Sequence, residues 1–151
     1  MPRQYCTFFL DDLYMGIEAE EVQEVLRLEA VTSVPLAPTS IRGLINLRGR
    51  IITAVDMREQ LDMKTEGAPD QPMNIILERE DGTLSFVVDK VGDVVEVEES
   101  DFEEPPDTLK GTSRRMIRGA YKLQDQLLLI LDTENALQCD VSRESSRKRR
   151  G

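Results

Sequence analysis

The feature that most constrains the fold of this chain is an internal repeat. Residues 41–61 (IRGLINLRGRIITAVDMREQL) align without a gap on residues 117–137 (IRGAYKLQDQLLLILDTENAL), 76 positions later, and both segments begin with Ile-Arg-Gly. Upstream, the VQEV segment at 22–25 and the VGDV segment at 91–94 correspond at an offset of 69, as do the apolar runs before them. We therefore expect two halves that share one structural plan.

Short apolar runs separated by turn residues indicate that each half is mostly β. Residues 73–77 and 84–88 flank Asp81-Gly82, a strong hairpin signal because glycine accepts a positive φ. Similar runs flank Asp11-Asp12 and Arg48-Gly49. We predict two similar small β-barrels sharing one core, because barrel closure removes exposed sheet edges. Helical spacing is limited to residues 19–26, where Val22 and Val25 resemble one helix face, and to 38–41, 57–61 and 133–137.

The composition argues against several kinds of chemistry. Because the chain has no histidine, it lacks Ser-His and Cys-His nucleophile pairs, imidazole metal ligands and a histidine phosphoacceptor. Cys6 and Cys139 stand far apart without C-x-x-C spacing, and they are expected to be free thiols of a reducing compartment. No stretch approaches the ~20 apolar residues of a membrane span. A net charge of −10 disfavours general nucleic-acid binding. We expect a cytoplasmic protein that needs no metal or cofactor.

Composition also indicates how the chain is divided. Residues 63–72 contain two prolines and a glycine where the first half ends, so we place the boundary between two interlocked β subdomains near this stretch. Residues 1–138 are then expected to form a single domain. From Ser142 onward the chain has five bases against one acid, which predicts a basic, disordered tail over residues 139–151.

Two stretches reverse the acidic balance of the chain. Residues 41–58 contain four arginines opposed only by Asp56, and residues 110–122 contain five bases and no acid. Such stretches either dock acidic partners or pair with the protein's own acidic segments, and we favour the second interpretation for most of these bases. Arg48 differs because it occupies a tight turn whose repeat counterpart is Gln124, so the turn itself does not require arginine.

One catalytic arrangement competes with a purely structural interpretation. Phosphoacceptor receiver domains place an acidic pair after their first strand and a phosphorylated Asp after their third, which Asp11-Asp12 and Asp56 could match. A receiver also needs a lysine at the end of a late strand, whereas Lys110 lies in a polar loop. Its parallel strands require helical crossovers, whereas short turns join the apolar runs here. Asp56 also recurs as Asp132, which indicates a helix cap in both halves.

A series of motifs, taken in order, carries a family resemblance. They are F-x-L-x-x-x-x-x-G-I at 8–17, E-V-Q-E-V at 21–25, V-P-x-x-P at 34–38, G-L-I-N-L-R-G-R-I-I at 43–52, V-D-M-R at 55–58 and V-V-D-K-V at 87–91. This series resembles the CheW family of chemotaxis coupling proteins and covers nearly the whole chain. The resemblance implies a mostly β fold of two small, SH3-like, five-stranded barrels around one hydrophobic core, with short helices, in agreement with the repeat.

The resemblance also implies a function. Members of the family are non-enzymatic adaptors that couple methyl-accepting chemoreceptors to the regulatory domain of the histidine kinase CheA. By resemblance, Val22, Glu24 and Arg48 are expected to bind the receptor tip, and a side chain at Gly43 is expected to disturb kinase coupling. The protein would lie in the cytoplasm at membrane-associated receptor arrays, without inserting into the membrane, and it would self-associate weakly there. A receiver using Asp56 and a similar adaptor of a non-chemotactic kinase pathway are the alternatives.

Overall fold

The described part of this computed structural model consists of ten β-strands and short helical segments. It covers residues 2–27, 31–64, 67, 69, 71–79, 82–107, 109 and 111–134. The strands are β1 (Pro2–Leu10), β2 (Leu13–Glu18), β3 (Val22–Leu26), β4 (Ile41–Leu47), β5 (Arg50–Asp56), β6 (Met73–Arg79), β7 (Gly82–Val88), β8 (Lys90–Glu98), β9 (Ile117–Lys122) and β10 (Leu127–Leu131). The helical segments are α1 (Met57–Gln60), α2 (Thr112–Met116) and 3-10 turns over Ala19–Glu21 and Glu99–Asp101.

The strands form two five-stranded sheets. Sheet 1 has the order β8-β1-β2-β10-β9, and sheet 2 has the order β3-β6-β7-β5-β4. Strand β10 pairs with β2 in parallel, as does β5 with β7, and the other neighbouring pairs are antiparallel. The prediction of a mostly β fold with two five-stranded units and short helices is confirmed.

The two sheets do not coincide with the two halves of the sequence. Sheet 1 takes the β1–β2 hairpin from the first half and β8, β9 and β10 from the second. Sheet 2 takes the β6–β7 hairpin from the second half and β3, β4 and β5 from the first. Each half therefore contributes its first hairpin to the other half's sheet. Residues 63–72 lead from α1 to β6, so strands of sheet 2 lie on both sides of them, and the proposed division into subdomains at this stretch stays a prediction.

Backbone hydrogen bonds repeat in the same way as the sequence. The Asp56 N–H donates to the Ser40 carbonyl at 2.7 Å, and 76 positions later the Asp132 N–H donates to the Met116 carbonyl, also at 2.7 Å. The β4–β5 and β9–β10 hairpins pair in equivalent register, and each has an irregularity at the same place. The internal repeat is thus a structural repeat as well.

The hydrophobic core has one shared layer and a smaller cluster for each sheet. The shared cluster combines buried side chains from both sheets, among them Phe8 of sheet 1 and Phe86 of sheet 2. A second cluster contains Tyr121 and other side chains of sheet 1, and a third contains Ile45 and other side chains of sheet 2. The predicted shared core is therefore confirmed, and each sheet has an additional core of its own.

Turn residues explain why the predicted hairpins form. The β1–β2 turn has a positive φ at Asp11, and the β4–β5 turn has positive φ at both Arg48 and Gly49. Two successive residues with positive φ are typical of the tight turns whose twist matches that of the flanking strands. Gly82 begins β7 with a φ of +139°, whereas Asp81 lies outside the described residues.

The short helix predicted over residues 57–61 is present as α1. The carboxylate of Asp56 caps it by accepting hydrogen bonds from the backbone N–H groups of Arg58 and Glu59. The turn predicted at 38–41 is also present, because the Ile41 N–H donates to the Pro38 carbonyl at 2.9 Å. Much of the predicted helix at 133–137 and the whole predicted tail at 139–151 lie outside the described residues.

The predicted helix over residues 19–26 is wrong. After a 3-10 turn, this segment continues as β3, which pairs antiparallel with β6. Val22 stands opposite Leu77 and Val25 opposite Ile75, and the register shifts between them. Such a β-bulge inserts one residue, so two valines three positions apart face the same side of the sheet. The spacing that resembled a helix face is the signature of this bulge.

Candidate functional site

Two of the residues expected to form the site, Glu24 and Arg48, bind each other. Arg48 Nη1 donates to Glu24 Oε2 at 2.7 Å, and Arg48 Nη2 donates to Glu24 Oε1 at 3.0 Å. Strands β3 and β4 are the two end strands of sheet 2, so this pair links one end strand to the turn after the other. The Arg48 side chain is 69% exposed and the Glu24 side chain 25%. A partner can therefore reach the pair from solvent.

Local structure and charge hold Arg48 in this position. The positive φ at Arg48 and Gly49 makes the tight turn, and the Asn46 side-chain oxygen accepts a hydrogen bond from the Gly49 N–H at 3.1 Å. The hydrogen bond from Arg48 lowers the pKa of the Glu24 carboxyl and raises the pKa of the arginine. Both groups are therefore charged at neutral pH, and a partner that binds one of them competes with the other.

The apolar residues near this pair in the sequence differ in their exposure to solvent. Val22 is partly buried and packs against the shared hydrophobic cluster rather than beside Arg48. Val25 and Ile51 are exposed, the latter by 64%. Sequence reasoning missed Ile51, although an isoleucine directly after Arg48-Gly49-Arg50 at the tip of a predicted hairpin was a usable signal. Val25 follows Glu24 in the sequence and Ile51 is three residues after Arg48, so these are the exposed apolar residues nearest to the pair along the chain.

Gly43 occupies a different part of the sheet. It lies near the start of β4, five residues before Arg48, which corresponds to about 16 Å along a strand. Its φ is +155°, and a Cβ placed on it would lie 2.3 Å from the Thr32 carbonyl oxygen. Thr32 forms an antiparallel bridge with Leu44 of β4 here, through two backbone hydrogen bonds of 2.9 and 2.8 Å. Glycine is therefore required at position 43 for close backbone packing.

Several bases of the two basic stretches pair with acids of the same chain. Arg42 lies 3.9 Å from Asp56, and Lys122 lies 3.6 Å from Glu103, in both cases between charged nitrogen and oxygen atoms. Arg50 donates instead to the Thr83 hydroxyl at 2.7 Å. Lys110 is outside the described residues. These contacts agree with the interpretation that most of the bases serve the protein's own structure.

Arg58, which ends the V-D-M-R motif, is buried. Only 4% of its side chain is exposed. Its Nε donates to Asp89 Oδ1 at 2.8 Å, its Nη2 to Asp11 Oδ1 at 2.8 Å, and its Nη1 to the Lys64 carbonyl at 2.9 Å. Asp89 comes from the V-V-D-K-V motif, so two separate motifs meet in one ion cluster. Sequence reasoning recorded both motifs but could not show that they touch.

The geometry around Asp56 does not suit a phosphoacceptor. Its carboxylate is engaged as the cap of α1, and Asp11 contacts the buried Arg58. Strand β5, which ends at Asp56, pairs in parallel with β7, but both strands belong to antiparallel hairpins and not to the alternating β/α units of a receiver.

In the part of the chain that the structure describes, no group of three or more Cys, Asp or Glu side chains could hold a metal ion. The helices of that part are too short to cross a membrane.

Sequence comparison identifies the family to which this geometry belongs. A CheW-like domain matches residues 4–140. The chain belongs to the CheW family. It is 28% identical over 133 residues to the chemotaxis protein CheW of Treponema pallidum, covering 85% of this chain and 78% of that protein. It is 27% identical over 138 residues to CheW of Bacillus subtilis, covering 91% and 88% respectively.

A solved CheW structure has the same fold. The scaffolding protein TtCheW of Thermoanaerobacter tengcongensis aligns with a TM-score of 0.78 and 28% identity, covering 87% of this chain and 89% of that one. The predicted CheW resemblance, its two-barrel fold and its adaptor function in chemotaxis are confirmed at the level of the family, and the receiver alternative finds no support. These similarities concern whole chains. The roles of Val22, Glu24, Arg48 and Gly43 therefore stay predictions.

Proposed function

We propose that this chain joins the cytoplasmic tips of methyl-accepting chemoreceptors to the regulatory domain of the histidine kinase CheA. It would have no active site of its own and would work in the cytoplasm, held at receptor arrays by its partners. Its effect on kinase output is then a coupling free energy between two binding surfaces. The CheW names of its relatives and the scaffolding title of the solved CheW structure support this proposal.

The observation that carries the receptor-binding part is the exposed Glu24–Arg48 pair. It offers a partner both signs of charge at one place, and the exposed Val25 and Ile51 lie within three residues of it in the sequence. A receptor tip is a helical hairpin, and amphipathic helices bind where an apolar surface is flanked by charged groups. We therefore assign the receptor-facing surface to Glu24, Arg48, Val25 and Ile51, with Val22 in the same strand as Glu24 packed against the shared core.

The kinase-binding part of the proposal concerns the region of Gly43. Because a side chain there would displace the Thr32 backbone, its effect would reach a partner through the segment that contains Val31 and Thr32. In this proposal the two partners bind different regions of sheet 2. One protein can then hold receptor and kinase at the same time.

Titration of receptor-tip fragments against charge variants tests the receptor-facing surface. We expect Arg48→Glu to weaken binding about tenfold or more, because it removes the exposed base and repels Glu24. Arg50→Glu is the matched control, since Arg50 is two residues away and donates to Thr83 instead. The assignment is wrong if Arg48→Glu binds receptor fragments as tightly as Arg50→Glu does.

The charge-swapped double variant separates two roles of the pair. Glu24→Arg with Arg48→Glu restores an ion pair of reversed direction. If receptor binding returns, the pair acts by holding β3 to the turn after β4. If binding stays weak while the protein remains folded, the two charges contact the receptor directly. The apolar part is tested with Val25→Lys, because Val22→Lys would place a charge against the shared core.

A further inference from the structure

Two ion clusters join sheet 1 to sheet 2. The first, called here the Arg58 cluster, consists of Arg58, Asp89 and Asp11. Arg58 lies in α1, directly after β5 of sheet 2, and Asp11 lies in the β1–β2 turn of sheet 1. Asp89 lies between β7 and β8, where the chain crosses from sheet 2 to sheet 1. The cluster thus links the β1–β2 turn, the start of α1 and the crossing between β7 and β8.

The second, called here the Arg79 cluster, consists of Arg79, Glu21, Thr133 and Glu134. Arg79 ends β6 of sheet 2, and its Nη1 donates to the Thr133 hydroxyl at 2.8 Å and lies 3.4 Å from Glu21 Oε1. Its Nη2 lies 3.9 Å from Glu134 Oε1. Glu21 lies between β2 and β3, where the chain crosses from sheet 1 to sheet 2, and Thr133 follows β10 of sheet 1.

The two clusters occupy corresponding positions in the repeat, with the charges exchanged. Arg58 and Glu134 are 76 positions apart, which is the offset of the repeat. The Arg58 cluster joins the turn of the β1–β2 hairpin, the crossing after the β6–β7 hairpin and the residues after β5. The Arg79 cluster joins the turn end of the β6–β7 hairpin, the crossing after the β1–β2 hairpin and the residues after β10. In the first cluster the arginine follows β5. In the second cluster the arginine lies on the hairpin, and the residue after β10 is the acid.

The clusters differ in strength. The Arg58 side chain is 4% exposed, and its hydrogen bonds to Asp89 and Asp11 are short. In the Arg79 cluster the side chains of Arg79, Glu21 and Glu134 are 17%, 29% and 73% exposed, and the two ion-pair distances are longer, at 3.4 and 3.9 Å. Removing one partner of a buried pair leaves an uncompensated buried charge, whereas a longer and more exposed pair contributes less. Burial also raises the pKa of the Glu21 carboxyl, and the opposing charge of Arg79 does not offset this effect.

We propose that the two clusters are unequal clamps between the sheets. Rotation of one sheet against the other takes place by opening of the Arg79 cluster, while the Arg58 cluster stays closed and acts as the pivot. Glu21 immediately precedes Val22, so the opening clamp lies at the start of β3. A change in the angle between the sheets would therefore alter the receptor-facing strand first. Only this last consequence rests on the proposed function.

Spin-label distances on the isolated protein test the proposal without any partner. Labels are placed at the exposed positions Glu96 in sheet 1 and Gln23 in sheet 2, with Cys6 and Cys139 replaced by serine. We expect Arg79→Met to widen the distance distribution between the labels while lowering Tm by less than about 5 °C. Arg118→Met is the matched control. Arg118 lies 3.9 Å from Glu18 within sheet 1, so its loss should leave the distribution unchanged.

The Arg58 cluster supplies the opposite expectation. Arg58→Met should lower Tm by about 10 °C or more, since it leaves the largely buried Asp89 side chain without its base. If that variant does not fold, Asp11→Asn, at the half-exposed edge of the cluster, should leave the distribution narrow. Glu21→Arg combined with Arg79→Glu reverses the direction of the ion pair and should restore the narrow distribution of distances between the labels. An unchanged distribution in Arg79→Met, or a distribution as wide in Arg118→Met, would overturn the proposal.

Discussion

Alanine at Gly43 is the sharpest test of how backbone packing determines this fold. The added Cβ would lie 2.3 Å from the Thr32 carbonyl oxygen, whereas ordinary contacts begin near 3.4 Å. Relief of this clash requires movement of Thr32, which strains its two hydrogen bonds to Leu44. A non-glycine residue at a φ of +155° costs about 1–3 kcal/mol, and overpacking costs about 1–3 kcal/mol more. We expect Gly43→Ala to lose about 3 kcal/mol of unfolding free energy and about 10 °C in Tm.

The repeat provides the matched control for this experiment. At Gly119 a Cβ would lie 2.1 Å from the Phe102 ring and 2.5 Å from the Glu103 carbonyl oxygen, but the φ of Gly119 is not positive. Gly119→Ala should therefore be destabilised by the steric cost alone. Urea unfolding and thermal melts measure both variants, and a pull-down with the CheA regulatory domain is done below both melting temperatures. A Tm for Gly43→Ala within about 2 °C of the parent protein would refute the packing argument.

Three other predictions concern single side chains. Asp56→Ala removes the cap of α1 and should cost about 1 kcal/mol in urea unfolding, with no change in receptor binding. Ile51→Lys should leave Tm unchanged, because the side chain is exposed, and should weaken binding of receptor-tip fragments. Burial opposes ionisation of Asp89, yet hydrogen bonds from Arg58 and the Asp11 N–H hold its pKa below the usual value. Its contribution to stability is therefore present above about pH 4 and is lost as the pH falls through the lowered pKa. Asp89→Asn should make the free energy of unfolding in urea less dependent on pH between pH 7 and 3.

The site residues were predicted from the family resemblance, whereas the hairpin turns, including the one that holds Arg48, and the cap of α1 follow from sequence patterns that act locally. Asp-Gly and Arg-Gly between apolar runs specify turns, and Asp56 before a short helical piece specifies a cap, because each effect involves residues only a few positions apart. The same reasoning failed for β3. There the spacing of Val22 and Val25 fits a helix and a bulged strand equally well, and pairing with β6 decides between them.

The sequence by itself determined the repeat, the hairpins, the capped helix and the membership of the CheW family. Only the tertiary structure decided that each half contributes its hairpin to the other half's sheet, that Glu24 pairs with Arg48, and that Arg58 is buried against Asp89. The physical reason is the range of the interactions. Turns and caps depend on neighbouring residues, whereas strand exchange and the ion clusters depend on which distant surfaces are buried together, and local sequence patterns do not encode that choice.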